Sequence, residues 1–190
     1  MGKVVYEEYL INGETMVILP HYDVHGHLHS LIVETDRELI IQKKPLQIIN
    51  ESCLFHGSSY KGRVEGATHL TNYNRMVPIM ICNRTGIYMF PTQSPKSEAC
   101  LWFSHDHIKE IQPLDAERCY VLLGNQKSLP VHVSKAAMEL KVNRTAQFRH
   151  LMNRTSNQIR TPVESGDFEQ FVVMESSGAY AFTEENAQHH

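Results

Sequence analysis

The sequence has few long hydrophobic runs. Although 42% of its 190 residues are hydrophobic, no apolar stretch approaches the roughly 18–20 residues of a transmembrane helix. The first eight residues lack the apolar segment of a secretory signal peptide. Tyr6 also stands where the N-myristoylation motif requires serine or threonine. We therefore expect a soluble cytoplasmic chain, which at this length forms one domain rather than two.

Paired cysteines and catalytic signatures are also missing. The four cysteines (Cys53, Cys82, Cys100 and Cys119) form no C-x-x-C pair, and without an export signal we expect reduced thiols. The chain contains no P-loop, G-x-S-x-G, H-E-x-x-H or complete dinucleotide fingerprint. It has no C₂H₂ zinc-finger or RNP-type aromatic motif either. These absences favour a protein that is not an enzyme and uses no cofactor.

Two clusters contain residues that are common in active or metal sites. His25-Gly-His-Leu-His29 would place three imidazoles on one face of a strand, a geometry that can bind a divalent metal. Gly26 indicates a turn instead, so we predict a surface histidine cluster without a metal. Residues 100–107 contain a thiol, a hydroxyl, two imidazoles and a carboxylate. Sequence spacing does not place a base beside Cys100, and we expect Trp102 to pack in the core.

Positive charge is scarce at both ends of the chain. Residues 1–42 contain two Lys and Arg against seven Asp and Glu, a balance of −5, and residues 161–190 contain none against six, a balance of −6. Residues 43–160 contain sixteen against eight, a balance of +8. A basic centre between acidic ends indicates a nucleic-acid partner. The alternative is a mixed, solvated surface on which the surplus charge does not cluster.

Short β-prone segments separated by turns dominate the first two thirds of the chain. Apolar and β-branched composition predicts strands at residues 14–20, 28–34, 38–42, 46–49, 77–81, 87–90 and 119–123. Turns are expected at Asn12-Gly13, Asp36-Arg37 and Gly124-Asn125. Residues 118–133 are typical of a hairpin.

The pattern changes after residue 133. Ser134 is a favourable N-cap, and residues 135–158 contain neither Gly nor Pro, which predicts one long helix or two short ones. The expected buried stripe contains Ala137, Leu140, Phe148, Leu151 and Met152. The expected basic face contains Lys141, Arg144, Arg149 and Arg154.

The predicted fold class is α+β, with a β-rich N-terminal and central part and a long helical segment near 134–158. Residues 1–160 are predicted to form one domain. Thr161-Pro162 is expected to end the helix. Residues 161–190 are then an acidic tail that is loosely ordered or peripheral.

Residues 52–63 (Ser-Cys-Leu-Phe-His-Gly-Ser-Ser-Tyr-Lys-Gly-Arg) have a composition suited to anion binding. Gly57 and Gly62 permit positive φ and close approach of the backbone. Serine hydroxyls and backbone N–H groups donate to phosphate oxygens, and Lys61 and Arg63 add charge. We predict a turn that lies against an anion. An ordinary surface hairpin turn is the alternative.

Several stretches occur together and in a fixed order. They are Lys44–Ile49, Ser52–Cys53, Phe55, Gly57–Arg63, Pro78–Met80, Phe90–Thr92, Cys100–His105 and Arg144–Ala146. In this order, and over roughly residues 5–160, they resemble ComK, the family of competence transcription factors of Bacillus and its relatives. The resemblance implies a DNA-binding activator of the genes for DNA uptake, with RNA polymerase as a further partner. It also implies dimers, two of them on a full promoter site, which bind paired A-tract and T-tract boxes, read mainly the minor groove and bend the DNA.

Within this resemblance, residues 57–63 are the first candidates for DNA contact. They are Gly57, Ser58, Ser59, Tyr60, Lys61, Gly62 and Arg63. A narrow A-tract minor groove concentrates negative potential, so we expect Arg63 or Lys61 to enter it from a slim loop that Tyr60 buttresses. The expected phosphate contacts are Arg75, Arg84, Lys96 and Lys109, followed by Arg144 and Arg149. Alternatively, Gly57–Arg63 is a conformational staple and the groove reader lies elsewhere.

The C-terminal part departs from the family pattern. The best-known members of the family carry, after the helical region, a short aromatic and aliphatic segment through which the MecA adaptor presents them to the ClpC–ClpP protease. The corresponding stretch here is residues 168–174, with Phe168, Phe171, Val172, Val173 and Met174 as the expected adaptor-binding residues. The alternative is a docking strand that completes the fold.

Two other functional classes stay open. A general binder of single-stranded nucleic acid or RNA would use the same basic centre together with stacking aromatic residues. A cytoplasmic thiol enzyme would need Cys53 or Cys100 with a low pKa.

Overall fold

The structure, a computed structural model, describes residues 5–158, 171–176 and 179–184, with side chains for residues 5–155. The chain divides into two units, Met1–Asn153 and Arg154–His190. Strands and helices are both present in quantity, so the predicted α+β class is confirmed. Among the described residues no helix is long and apolar enough to span a membrane.

A seven-stranded sheet organises the first unit. Its strands are β1 (Val5–Tyr6), β2 (Thr15–Tyr22), β3 (Leu28–Glu34), β4 (Glu38–Ile41), β5 (Ile79–Cys82), β6 (Ile87–Pro91) and β7 (Trp102–Ser104). The order across the sheet is β1-β4-β3-β2-β7-β6-β5. All neighbouring pairs are antiparallel except β1 and β4. The N-terminal strands therefore form one edge of the sheet, and β5 forms the other.

Two helices follow β4, namely α1 (Pro45–Phe55) and α2 (Tyr60–Thr71). The buried side of α1, with Ile48, Ile49 and Cys53, packs in one cluster with Trp102 and the isoleucines of one sheet face. The strand predicted at residues 46–49 is therefore wrong. A short apolar run fits a strand or a buried helix equally well, and here Pro45 supplies the favoured first residue of a helix.

The opposite face of the sheet is covered by a smaller sheet and a long helix. The smaller sheet contains β8 (Ile108–Pro113), β9 (Cys119–Leu123) and β10 (Ser128–Val131), in the order β10-β9-β8. The hairpin predicted at 118–133 is thus confirmed. The helix is α3 (Lys135–Gln158), as predicted. Ser134 caps it by accepting a hydrogen bond from the Ala137 amide at 3.3 Å.

The buried side of α3 differs in part from the predicted stripe. Phe148 is buried as expected, but Ala137 and Leu140 are exposed and Met138 is buried in their place. Lys141, expected on the basic face, is only 9% exposed. The buried residues of α3, at positions 138, 141, 145 and 148, are spaced three or four residues apart. The buried side of the helix is therefore shifted around its axis from the predicted one, and it includes Lys141.

The second unit contains a hairpin of β11 (Phe171–Ser176) and β12 (Ala179–Glu184). The strands are antiparallel, with Phe171 opposite Glu184 and Ser176 opposite Ala179. Two stretches of the predicted acidic tail thus form strands, in a unit separate from the first.

Candidate nucleic-acid interface

A four-residue turn, residues 56–59, joins α1 to α2. Gly57 has a φ of +82°, as predicted, and the Ser59 hydroxyl caps α2 by accepting from the Gly62 amide at 3.1 Å. Gly62 itself lies in the first turn of α2 without a positive φ. Residues 60–63 are therefore helical, and the prediction of a slim loop over this stretch is wrong. Serine is a favoured N-cap residue, so Ser59 was the signal in the sequence that could have predicted the start of α2.

Arg63 is directed back onto this turn. Its Nη2 donates to the backbone carbonyl of His56 at 2.9 Å, and its Nε is buried without a partner among the described residues. The guanidinium thus ties the first turn of α2 to the end of α1. This is the geometry expected of a conformational staple.

Lys61 and Tyr60 lie on different sides of the start of α2. The Lys61 side chain is 85% exposed and lies 3.7 Å from the Glu65 carboxylate. The Tyr60 ring packs edge-on against Trp102, with ring centroids 5.9 Å apart, and burial raises its pKa to about 12. Lys61 is therefore the cation of residues 57–63 that extends into solvent.

A groove of about 250 Å³ separates α2 from α3. It is lined by Ser58, Gly62, Arg63, Gly66, Ala67, Leu70, Met80, Phe148 and Met152. Beneath it, α2, α3 and the edge strand β5 share an apolar cluster that contains Ala67, Met80, Tyr88 and Phe148. Because the residues that α2 contributes are mostly small, the groove stays open.

The outward cations of α3 pack on aromatic rings beside this groove. The Arg144 guanidinium lies over the Tyr73 ring, 4.9 Å from its centroid, and the Tyr73 hydroxyl donates to Gln147 at 2.6 Å. Arg149 lies over Tyr88 at 5.7 Å and forms an ion pair with Asp106.

Two short connections contribute further cations near these residues. Exposed Arg75 follows Tyr73 in the α2–β5 connection, and exposed Arg84 lies in the β5–β6 turn. A Cβ added at Gly86 in that turn would lie only 3.3 Å from Nη2 of Arg149, so the turn is close to this side chain. We call the resulting set the α2–α3 surface: Lys61, Arg63, Arg75, Arg84, Arg144 and Arg149. Of the other predicted contacts, Lys96 lies in the β6–β7 connection beside the start of α1, and Lys109 lies on β8.

Lys141 lies on the buried side of α3 and not on the basic face where the sequence analysis expected it. Its Nζ donates to the Met76 thioether at 3.0 Å, and burial, together with nearby Arg144, lowers its pKa.

Asn72 and Met76 have left-handed backbone, with φ of 59° and 47°. An asparagine just after a helix is a recognisable C-cap signal, and it would have marked the end of α2.

The cysteines are buried, and two of the histidines contact the same aspartate. All four cysteines are buried, and burial raises the pKa of Cys53 to about 11 and also raises those of Cys100 and Cys119. His27 and His29 both contact Asp23, at 3.0 and 3.3 Å. Within the part of the chain that the structure describes, no group of three side chains is placed to hold a metal ion.

Four of the five predicted adaptor-binding residues lie on one strand. Phe171, Val172, Val173 and Met174 belong to β11 and pair with residues 181–184 of β12. Phe168 lies outside the described residues.

Comparison with known proteins identifies the family. The ComK protein family matches residues 6–157, a range that contains α1, α2 and nearly all of α3. The competence transcription factor of Bacillus subtilis (strain 168) is 37% identical over 143 residues, which cover 75% of this chain and 74% of that protein. No solved structure matches the chain. The chain therefore belongs to the ComK family, whose members are competence transcriptional regulators.

Proposed function

We propose that this regulator binds double-stranded DNA through the α2–α3 surface and activates genes for DNA uptake. The observation that carries the proposal is the surplus of unpaired positive charge on this surface. Among the described side chains, only Lys61 and Arg149 of its six cations form ion pairs with carboxylates. Cations without acidic partners are available for phosphate oxygens, which supply most of the affinity for DNA.

The target is a pair of A/T-rich boxes read largely in the minor groove. A helix is about 10–12 Å across and does not fit a minor groove about 6 Å wide. A groove contact from this region must therefore come from a single extended side chain. Lys61 is exposed at the start of α2, whereas Arg63 is held by the His56 carbonyl. We assign the groove contact to Lys61 and a positioning role to Arg63.

Paired boxes require more than one copy of the protein, because half-site spacing mirrors the symmetry of the bound oligomer. We propose a dimer, or a pair of dimers on a full site, with RNA polymerase as the partner in activation. A chain with this role acts in the cytoplasm at the nucleoid. Light scattering of the protein alone and of its DNA complex would give the number of copies.

A gel shift across a salt series tests the DNA-binding proposal. Duplexes with paired A-tract and T-tract boxes are compared with G·C-substituted duplexes. We expect a preference for the A/T boxes and an affinity that falls steeply with salt, with a slope of about −0.9 per neutralised phosphate. Equal, weak binding to both duplexes would indicate a nonspecific nucleic-acid binder, and no binding would refute the proposal.

Single substitutions locate the contact. Lys61→Ala is expected to weaken box binding by about 1–3 kcal/mol. Lys127→Ala removes from the β9–β10 connection an exposed cation that, like Lys61, is paired with a glutamate, and it serves as the matched control. Equal losses in the two variants would show that Lys61 contributes only general charge.

We further propose that the second unit presents the protein to a MecA-type adaptor and the ClpC–ClpP protease. Within the described residues β11 pairs only with β12, and an unpaired strand edge is a common docking site for a partner's strand. Deletion of residues 163–190 is expected to leave DNA binding intact and to abolish adaptor-dependent degradation. An unfolded product would instead favour the docking-strand alternative.

A further inference from the structure

The ammonium group of Lys141 has a weak partner for a charge in a buried position. The residue is only 9% exposed, and its Nζ donates to the Met76 sulfur at 3.0 Å. Among the described residues this thioether is the one acceptor that the ammonium contacts. An ammonium has three donors, and a thioether sulfur is a weak acceptor. A buried charge without a strong partner lowers stability, so the site would gain from an acceptor oxygen.

The surroundings of Lys141 add to this demand. Burial and the like charge of nearby Arg144 both lower the pKa of Lys141. A neighbouring oxygen with partial negative charge would offset both effects, because a hydrogen bond from a charged donor is stronger than one between neutral groups.

The backbone at Met76 is held in an unusual conformation. Its φ of 47° is left-handed, which is uncommon for a side chain other than glycine, asparagine or aspartate. Such backbone persists only where the surrounding contacts fix it. The contact with Lys141 ties this point of the α2–β5 connection to α3.

Met76 is also more accessible than most of the other methionines. Met16, Met80, Met89 and Met138 are buried. Met76 is partly exposed, so a small oxidant reaches its sulfur more easily than it reaches those of the core.

We propose that Met76 is a site of reversible oxidation to methionine sulfoxide and that Lys141 holds the sulfoxide oxygen. The thioether sulfur attacks one oxygen of hydrogen peroxide, so that the S–O bond forms while the O–O bond breaks. The hydroxide that leaves takes the proton from the new oxygen and becomes water. Sulfur loses two electrons and the peroxide gains them. The sulfoxide oxygen then accepts from the Lys141 ammonium.

Oxidation at this position should stabilise the native protein. A sulfoxide in an apolar core is disruptive because it makes a flexible apolar side chain polar. At Met76 the new oxygen meets a buried charged donor instead, and the α2–β5 connection becomes more firmly attached to α3. The proposal does not depend on the DNA-binding function, because neither Met76 nor Lys141 belongs to the α2–α3 surface.

The test treats the full-length protein and its Met76→Leu variant with hydrogen peroxide, with free N-acetylmethionine in the same solution as a reference. Peptide mapping by mass spectrometry identifies the oxidised methionines, and thermal melts are recorded before and after treatment. The difference between the two proteins isolates Met76 from the other methionines and the thiols. We expect Met76 to gain one oxygen and to raise the melting temperature, relative to Met76→Leu, by at least about 2 °C.

Two further variants separate the role of Lys141 from oxidation in general. In Lys141→Leu, oxidation of Met76 should lower the melting temperature, because the sulfoxide oxygen has no donor. Met152 is the matched control, since it is also partly buried but packs against the apolar cluster of α2, α3 and β5. Its oxidation, measured by comparison with Met152→Leu, should lower the melting temperature.

Three results would overturn the proposal. The first is that Met76 stays reduced after the free reference is fully oxidised. The second is that oxidation of Met76 lowers the melting temperature, or leaves it unchanged, while Lys141 is present. This comparison requires no substitution at Lys141 and therefore does not depend on the folding of Lys141→Leu. The third is a rise in melting temperature that Lys141→Leu leaves intact.

Discussion

At the scale of single residues, Arg63 has a structural contact that its charge alone does not reveal. Its bond to the His56 carbonyl closes the α1–α2 turn. Arg63→Ala removes a charge-assisted hydrogen bond and leaves that carbonyl without its partner, so we expect the free energy of unfolding to fall by about 1–2 kcal/mol. Urea denaturation measures this loss. Lys61→Ala, at an exposed position, is the control and should lower the free energy of unfolding by about 0.5 kcal/mol or less. Equal stability of the two variants would refute the role given to Arg63.

Box binding by the same variants distinguishes positioning from direct contact. Under conditions where both proteins are folded, Lys61→Ala should lose more affinity for A/T boxes than Arg63→Ala. The reverse order would return the groove contact to Arg63. Unchanged affinity in both variants would move the groove reader to another part of the surface.

The thiols give a second prediction at this scale. Only the thiolate reacts with alkylating agents, and because burial raises the pKa of Cys53 to about 11, roughly one molecule in a thousand carries this thiolate at pH 8. Cys82 differs: burial raises its pKa, but hydrogen bonds from Thr85 and Arg84 and the charge of Arg84 together outweigh that effect, so the net shift is downward. Mass spectrometry after brief alkylation should therefore find Cys53, Cys100 and Cys119 unmodified in the native protein, and any label on Cys82. Rapid labelling of Cys53 or Cys100 would revive the thiol-enzyme alternative.

At the scale of elements, two glycines in α2 should respond differently to alanine. A Cβ at Gly66 meets nothing within 4 Å, whereas one at Gly62 would lie 2.9 Å from the Ser58 hydroxyl. Gly66→Ala should therefore stabilise the protein by about 0.5–1 kcal/mol. Gly62→Ala should stabilise it less, because the Ser58 hydroxyl must move to make room for the Cβ. Thermal melts compare the two. The double variant Ser58→Ala/Gly62→Ala should recover part of the difference, and failure to do so would exclude this contact as the cause.

The attachment of α3 to the sheet depends on Phe148. This side chain is 2% exposed and meets the Tyr88 ring edge-on at 5.6 Å. Phe148→Ala should cost about 3–5 kcal/mol of unfolding free energy, as truncations of buried aromatic residues do. Leu140→Ala on the same helix is the control, because Leu140 is 50% exposed and should cost less than about 1 kcal/mol. Similar losses would mean that α3 is oriented differently.

At the scale of the whole molecule, the order of strands separates the charges. The acidic N-terminal strands form the β1 edge, where Glu34, Glu38 and Glu51 pair with Arg37, Lys127 and Lys43. The β5 edge lies next to the α2–α3 surface, most of whose cations have no carboxylate partner among the described side chains. A one-sided basic surface of this kind accelerates and strengthens binding to DNA.

Removing one acid from the basic side tests this arrangement. Asp106→Asn frees Arg149 from its ion pair, so the affinity for A/T boxes should rise several-fold and the salt slope should steepen by about one unit. Asp115→Asn removes the same charge from the β8–β9 connection, where Asp115 pairs with Arg118, and should have little effect. Gel shifts across a salt series compare both variants. An equal rise would mean that only net charge matters.

Much of the fold was predictable where the pattern is local. The strands at residues 28–34 and 119–123 and the helix at 135–158 match the prediction to the residue, because alternating apolar residues and a stretch free of Gly and Pro are clear local signals. The helix α2 was missed because it contains two glycines and few apolar residues. Its cap at Ser59 and its packing against β5 and α3 stabilise it nonetheless.

The sequence by itself determined the α+β class, the basic centre between acidic ends, and the ordered motifs that identify the ComK family. The tertiary structure decided which of the cations come together, how Arg63 is used, and that buried Lys141 meets the Met76 thioether. The physical reason is that periodicity and composition act over a few neighbouring residues. Burial and hydrogen-bond partners depend instead on segments far apart in the chain, such as His105–His107 and α3, or the α2–β5 connection and α3.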